Sequence, residues 1–378
     1  MSEKVKRQKI IIIGATPHSL LNFRGELIRT IVKEGYEVCA VATGASNSEV
    51  EQIHELGARY LDRPINRVSI NPIKEVRTLL SLRRLFKKEK PDFVLSYTIK
   101  PVIWSGIALK GLAGIRFFAL ITGLGYSFSG KHGLRKLLNK IVVKLYRLAL
   151  KSADKVIFQN RDDLEYFSNS NIVDAAKCFV VPGSGVPSDR FAFTQLPQKG
   201  FRFLMIARLL DEKGVRYYVQ AAKKVLERYP HVEFELLGGF DISPSAITQR
   251  EVQEWVESGI VNYHGEKLDV REYLRCCHVF VLPSHYREGL PRTILEAMSI
   301  GRPVITTDNV GCREAVHNNI NGILVPIKDS EALAVAMIYL IENKEVLIKM
   351  SDAGRRLVDF KYDVGLVNKE MIRLIFKD

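Results

Sequence analysis

Short runs of β-branched and aliphatic residues alternate along the chain with longer stretches whose apolar positions recur every three to four residues. The runs Lys9–Ile13, Glu37–Ala42, Phe93–Tyr97, Arg116–Ile121 and Lys155–Gln159 predict strands in the first half. Phe201–Ile206, Glu233–Leu237, Val261–His264, Val279–Leu282, Pro303–Thr306 and Gly322–Val325 do so in the second. Strands buried on both faces read as unbroken apolar runs, and crossover helices between them make the sheets parallel. Leu20–Glu34, Pro72–Lys88, Val215–Tyr229, Val270–Cys276, Thr293–Ser299 and Ser330–Asn343 are such helical stretches. The expected fold class is α/β, with two doubly wound domains. Open parallel sheets bind ligands off the carboxyl ends of their strands, so a cleft where the domains face each other is the expected site.

Residues 1–185 are expected to form the first domain and 201–360 the second. Between them 181–200 carries three prolines and three glycines, and 186–200 is assigned as a linker. The last stretch, 361–378, places Val364, Val367, Met371, Leu374 and Ile375 roughly on one helical face, and packing back onto the first domain is the expected use of it.

At 378 residues, 47% hydrophobic and 26% charged, the composition is that of an ordinary globular protein and excludes disordered, collagenous and coiled-coil chains. Five cysteines (39, 178, 276, 277, 312) without CxxC spacing argue against a zinc site or a disulfide framework and for a reducing cytoplasm. Pro101–Ser129 is interrupted by Lys110 and Arg116 and falls short of the ~20 apolar residues of a membrane span. Charge changes the picture more. The net charge is +14, yet residues 1–160 hold 28 Lys and Arg against 12 Asp and Glu, so the whole excess lies in the first half. Such a field concentrates a polyanion, either nucleic acid or an anionic membrane. From Arg63 to Lys151 there are 19 cations against Glu75, Glu89 and Asp92. Within Lys131–Lys151, Leu134, Leu137, Leu138, Ile141, Leu145 and Leu148 recur at helical spacing, with Lys136, Lys140, Lys144, Arg147 and Lys151 around them. That pattern suits an anionic lipid surface, with the apolar stripe expected to pack inward and the cations to attract the membrane. No nucleic-acid-binding motif accompanies the charge, so nucleic acid is not the expected partner.

The candidate chemistry lies mostly in the second half. Strand Val279–Leu282 runs into a loop ending Glu288-Gly289-Leu290-Pro291, which opens a helix containing Glu296. Free N–H groups at a helix start suit a phosphate, and a glutamate can accept hydrogen bonds from vicinal hydroxyls of ribose or a sugar. A second loop, Ala207-Arg208-Leu209-Leu210-Asp211-Glu212-Lys213-Gly214, offers two cations that can straddle a diphosphate: a planar guanidinium and a mobile ammonium. Gly238-Gly239 serve as turn residues or leave room for a ligand. No Asp-x-Asp occurs, so the carboxylate clamp for a divalent ion is missing and no metal or cofactor is expected. In the first half, Gly14-Ala15-Thr16-Pro17-His18-Ser19 leaves the first strand without the GxGxxG pattern.

Two glutamates with seven residues between them around Gly-Leu-Pro, followed by Ala297-Met298 and Gly301-Arg302-Pro303-Val304-Ile305, resemble family 4 glycosyltransferases of the GT-B fold, two Rossmann-like domains facing across a cleft. The resemblance covers nearly the whole chain and is strongest over 201–326. It implies a retaining, metal-independent glycosyltransferase (EC 2.4 class) that takes its sugar, an N-acetylhexosamine or a hexose, from a UDP-sugar. Within the family the chain is most similar to bacterial transferases that extend undecaprenyl-diphosphate-linked saccharides for surface or N-linked glycans. The resemblance gives Glu288 to the donor sugar, Glu296 to the ribose, and Gly289, Leu290 and Pro291 to the distal phosphate. Arg208 and Lys213 fall to the diphosphate and the loop of Gly265 and Asp269 to the base, while Gly238 is a donor-site candidate for the room it leaves a ligand. On the acceptor side it points to Gly14, His18, Asn22 and Gly123. Many relatives carry a histidine near Gly123, but Thr122-Gly123-Leu124-Gly125-Tyr126 has none. The expected setting is the cytoplasmic face of the inner membrane, held peripherally. Two alternatives stand beside this reading: a UDP-sugar 2-epimerase of the same fold, and a basic nucleic-acid-binding protein.

Overall fold

The computed structural model describes residues 7–65, 71–125 and 133–377. The chain forms two units, Met1–Ser184 with Val367–Asp378, and Gly185–Leu366. In unit 1 the strands are β1 (Lys9–Ile13), β2 (Glu37–Ala42), β3 (Arg59–Asp62), β4 (Phe93–Tyr97), β5 (Arg116–Ile121), β6 (Lys155–Phe158) and β7 (Cys178–Val180). They pair in parallel in the order β3-β2-β1-β4-β5-β6-β7. Helices α1 (Pro17–Lys33), α2 (Asn47–Glu55), α3 (Pro72–Glu89), α4 (Ile99–Ala108), α5 (Gly133–Leu150) and α6 (Arg161–Asn169) connect them. In unit 2, β8 (Arg202–Ile206), β9 (Glu233–Leu237), β10 (Asn262–Tyr263), β11 (Val279–Leu282), β12 (Val304–Thr307) and β13 (Gly322–Val325) pair in parallel as β10-β9-β8-β11-β12-β13. Its helices are α7 (Val215–Arg228), α8 (Gln249–Glu257), α9 (Arg271–Cys276), α10 (Arg292–Ile300), α11 (Cys312–Ala315), α12 (Ser330–Glu342) and α13 (Lys344–Leu357), and α14 (Val364–Ile372) follows them.

Chain order reverses between β1 and β4 in the first sheet and between β8 and β11 in the second. Those two switch points open crevices beyond the strand ends, and in each unit the loops that follow the central strands line one.

The stretch assigned as a linker is packed into unit 2. Phe191 is buried in its core, and the Ser299 hydroxyl donates to the Phe191 carbonyl at 2.7 Å. The buried Arg302 guanidinium donates to the Thr194 hydroxyl at 2.5 Å and to the carbonyls of Thr194, Gln195 and Leu274. A guanidinium spread over that many acceptors fixes the segment against the domain. The chain's return is also sharper than the sequence suggests: Val186 pairs with Asp363, so 361–366 belong to unit 2. From Val367 onward the C-terminus joins unit 1, where Met371, Ile372, Leu374 and Ile375 are buried beside α1 and the first sheet. Phe376 stacks on Tyr36 with ring centroids 3.9 Å apart, and the Lys155 ammonium caps the Leu374 carbonyl at 3.0 Å.

The apolar stripe of α5 also differs from expectation. Val142, Tyr146, Ala149 and Leu150 face the core, while Leu137, Ile141 and Leu148 are exposed. At ~100° per residue the two sets lie on opposite sides of the helix. Leu138 and Leu145 sit at the boundary, and the side chain of Leu134 lies outside the described residues.

Close contact of α4 and α5 rests on Gly106, where a Cβ would stand 2.5 Å from the Ala149 carbonyl oxygen. Gly106→Ala should therefore lower stability by about 1–3 kcal/mol despite the better helix propensity of alanine, read as a reduced denaturation midpoint.

Candidate functional site

Loops at the carboxyl ends of β8 and β11 hold the predicted constellation in unit 2. After β8 the chain makes a tight turn, with Lys213 N–H donating to the Leu210 carbonyl at 3.0 Å, and α7 then starts at Gly214. Gly214 has φ 85°, and a Cβ there would stand 2.1 Å from the Pro283 carbonyl oxygen. Only glycine allows this approach, which lays the turn against the loop following β11. As a result the Lys213 ammonium meets the Glu288 carboxylate, both mostly buried, and stands 5.3 Å from the centre of the Tyr286 ring.

Glu288 is held from several sides. The Ser284 hydroxyl lies 3.0 Å from its Oε1, and the Ser284 carbonyl accepts hydrogen bonds from the Thr307 hydroxyl and from Asn309 Nδ2. Asn309 also donates to the Tyr286 carbonyl at 2.9 Å. Beneath the loop Gly311, φ 81°, approaches so closely that a Cβ would stand 2.7 Å from the carbonyl oxygens of Glu288 and Gly289. Gly289-Leu290-Pro291 then lead into α10, with Pro291 as its N-cap. Arg208 sits at the other end of the β8 loop, and its guanidinium donates to Asp241 at 2.7 Å. The two predicted diphosphate cations thus rest on carboxylates, Asp241 and Glu288.

One turn into α10, Glu296 accepts from Arg292 Nε at 3.0 Å. Burial pushes its carboxyl up to about 7, although Arg292 opposes the shift. Next to the Glu288 loop, Glu212 Oε2 and His285 Nδ1 are buried without a hydrogen-bond partner among the described residues. Burial holds the His285 imidazole below its ordinary pKa, and Lys328 adds to this.

The remaining predicted residues take more structural roles. Gly238, φ 152°, wedges between neighbouring loops: a Cβ would meet the Ala207 carbonyl oxygen at 1.7 Å, and its N–H donates to the Gly265 carbonyl. Gly265, φ 71°, faces open space. The Asp269 carboxylate is turned onto Arg271 at the start of α9, which holds it down to about 2. In unit 1, Gly14 is explained by Tyr97, whose Oη would stand 2.1 Å from a Cβ at that position. His18 and Asn22 lie one turn apart on the exposed side of α1, hydrogen-bonded at 2.7 Å. Gly123 adopts φ 104° after β5. Sequence reasoning did not single out Asp241, Ser284, His285, Thr307, Asn309 or Arg292 as functional. Arg292 could have been found, because an arginine four residues before a buried glutamate on a helix is a local signal.

Comparisons with known proteins follow this geometry. The family model described as "Glycosyl transferases group 1" matches residues 200–343, and the "Glycosyl transferase 4-like domain" model matches 23–183. The chain is a glycosyltransferase, with a group 1 domain in unit 2 and a 4-like domain in unit 1. One relative, 26% identical over 96% of this chain and 97% of its own length, is the N,N'-diacetylbacillosaminyl-diphospho-undecaprenol alpha-1,3-N-acetylgalactosaminyltransferase of Campylobacter jejuni. Another, 27% identical over 77% of each chain, is the UDP-Gal:alpha-D-GlcNAc-diphosphoundecaprenol alpha-1,3-galactosyltransferase of Escherichia coli. Among solved structures, HepE of Anabaena in complex with UDP-glucose aligns with TM-score 0.77 at 16% identity, covering 97% of this glycosyltransferase and 99% of HepE. The fold is GT-B. Family membership also decides between transfer and epimerisation, in favour of transfer.

The Glu296 carboxyl gives a pH test with a definite sign. Its folded-state pKa, about 7, lies above the ordinary 4.5. The folded chain therefore keeps a proton that the unfolded chain releases, and stability from this group falls as pH rises from about 4.5 to about 7. Glu296→Gln should remove that decline. Between pH ~5 and ~8 the wild type should lose about 2–3 kcal/mol more than the variant, measured by urea unfolding.

Proposed function

We propose that this glycosyltransferase moves a sugar, an N-acetylhexosamine or a hexose, from a UDP-sugar to an undecaprenyl-diphosphate-linked saccharide, with retention at the anomeric carbon. The observation that carries the reading is the meeting of Lys213 and Glu288 at the β8/β11 switch point, in the loop that leads into α10. Both relatives are named for undecaprenol-diphosphate acceptors, and one for a UDP-sugar donor. Arg208 and Lys213 exchange their carboxylates for the donor diphosphate, and the backbone from Gly289 to Pro291 meets its distal phosphate. Glu288 holds a hydroxyl of the donor sugar and Glu296 the ribose. The loops of Gly238, Gly265 and Asp269 lie along the base. Gly14, His18, Asn22 and Gly123 belong to the acceptor side in unit 1.

In the transfer itself, the acceptor hydroxyl oxygen bonds to C1 as the bond from C1 to the diphosphate oxygen breaks. The departing phosphate oxygen takes the acceptor's proton, so no side chain is assigned as base. Negative charge builds on the leaving diphosphate, where two fixed cations and a helix start stabilise it most in the transition state. The reaction needs no metal ion on this reading, because those groups supply the charge. The setting is the cytoplasmic membrane face, bound peripherally. Among the described residues no helix is long and apolar enough to cross a membrane.

A thermal-shift screen of nucleotide sugars tests the donor class, since a bound donor stabilises by mass action. Lys213→Ala should weaken UDP binding at least about tenfold by calorimetry, the order expected for loss of one charge-assisted contact. Glu288→Ala should abolish transfer in a chain that still folds, with a lowered melting point because the Lys213 ammonium loses its counter-charge. EDTA should leave the wild-type rate unchanged; a rate restored only by added Mg2+ would overturn the metal-free reading.

A further inference from the structure

Helices α3, α4 and α5 each bury one side in the same core cluster on one face of the unit 1 sheet, and α4 touches both of the others. Their opposite sides therefore point away from the sheet in the same sense. On α3 the core side is Thr78, Leu82, Leu85 and Phe86. Diametrically opposite, at ~100° per residue, stand Ile73, Val76 and Leu80, and Ile73 is 79% exposed. On α5 the same construction recurs, with Leu137, Ile141 and Leu148 exposed and Leu137 at 56%.

Cations frame both stripes. Arg77, Arg84, Lys87 and Lys88 on α3, and Lys140, Lys144 and Lys151 at α5, are exposed and share the outward half of their helices. The few acids of this region are turned away from it. Glu75 is held by Lys100 at 2.5 Å and by Trp104 Nε1 at 2.6 Å, both on α4. Glu89 pairs with Lys9 and Arg59, and Asp92 accepts the Lys9 backbone N–H at 2.7 Å. The outward side is thus apolar and cationic, with its neighbouring carboxylates spent inside the fold. Large aliphatic side chains in water, flanked by cations alone, match an interface of acyl chains beneath anionic headgroups.

We infer that the outward faces of α3 and α5 form a two-helix footprint that docks on an anionic lipid bilayer, with Ile73, Val76, Leu80, Leu137, Ile141 and Leu148 entering the interface. This deepens the proposed function, because it rests on a lipid-linked acceptor for its purpose, and it adds α3, which charge counting along the sequence does not distinguish. Aliphatic insertion supplies a salt-resistant part of the binding and the cations a screened part.

The test uses the full chain and sedimentation with vesicles of phosphatidylcholine, with or without about 30% phosphatidylglycerol. Wild type should partition at least about tenfold more strongly to the anionic vesicles, and part of that binding should persist at about 0.5 M salt. The triple variants Ile73→Ser/Val76→Ser/Leu80→Ser and Leu137→Ser/Ile141→Ser/Leu148→Ser change exposed side chains only. Each should retain the wild-type melting point and lower partitioning at least about fivefold, and the combined variant should lose the salt-resistant part. Equal binding to both vesicle types would overturn the footprint, as would wild-type partitioning by both triple variants. A wild-type dimer in solution that the triple variants dissociate would also overturn it, assigning the face to a second copy. The vesicles carry no saccharide lipid. If wild type binds them while no nucleotide sugar stabilises the chain, the proposed function fails and the footprint stands; the reverse pattern removes the footprint alone.

Discussion

The Lys213–Glu288 contact is the constraint on which the unit 2 site turns, and it exists because Gly214 lets two loops touch. A side chain at that position would collide with the Pro283 carbonyl and push the β8 loop off the β11 loop. The ammonium would then lose its partner, and Glu288, mostly buried, would lose its counter-charge. Leaving a buried charge without its counter-charge costs far more than a surface pair contributes, so the two loops are coupled through this one pair. Ser284, Thr307 and Asn309 add to the coupling by fixing the backbone from which Glu288 hangs.

Carboxylates parked on Arg208 and Lys213 have a second consequence. Each cation has its charge offset by the carboxylate it rests on. An incoming diphosphate must displace Asp241 or outcompete it for Arg208. A singly charged phosphate ester competes less well against a carboxylate already in place. On the proposed reading a diphosphate engages both cations where a single phosphate ester engages one, which separates a nucleoside diphosphate sugar from most other phosphorylated metabolites.

Much of the fold was legible in the sequence because parallel strands buried on both faces write themselves as apolar runs, such as Ile10–Ile13 and Val279–Leu282. Edge strands do not. Arg59–Asp62 and Cys178–Val180 are short and only half buried, and neither was expected. The linker was misread for a related reason: prolines and glycines mark turns, whereas the clamp on 194–195 comes from Arg302, more than a hundred residues away. On α5 the leucine spacing allowed two faces, and only contact with the core chose between them. At the site, the glutamate motif and the two cations were legible because each is local to one loop. Asp241, Asn309 and Thr307 were not, since each reaches its partner across the fold.

The two sheets share a topology but not a chemistry, and that difference argues for the side on which the diphosphate sits. At the β1/β4 switch point of unit 1, the space beside Gly14 is filled by the Tyr97 ring, whose hydroxyl is hydrogen-bonded to Ser19 at 2.8 Å. Burial pushes that phenol up to about 12, so it stays neutral, and the buried Arg24 guanidinium lies 5.0 Å from the ring centre. A phosphate approaching the backbone there meets an aromatic ring instead of open amides. At the β8/β11 switch point the loops instead bring an ammonium against a carboxylate, with Pro291 opening α10 just beyond. The two crevices share a topology and differ in their side chains, so on the proposed reading donor binding in unit 2 comes from those side chains and not from the fold alone.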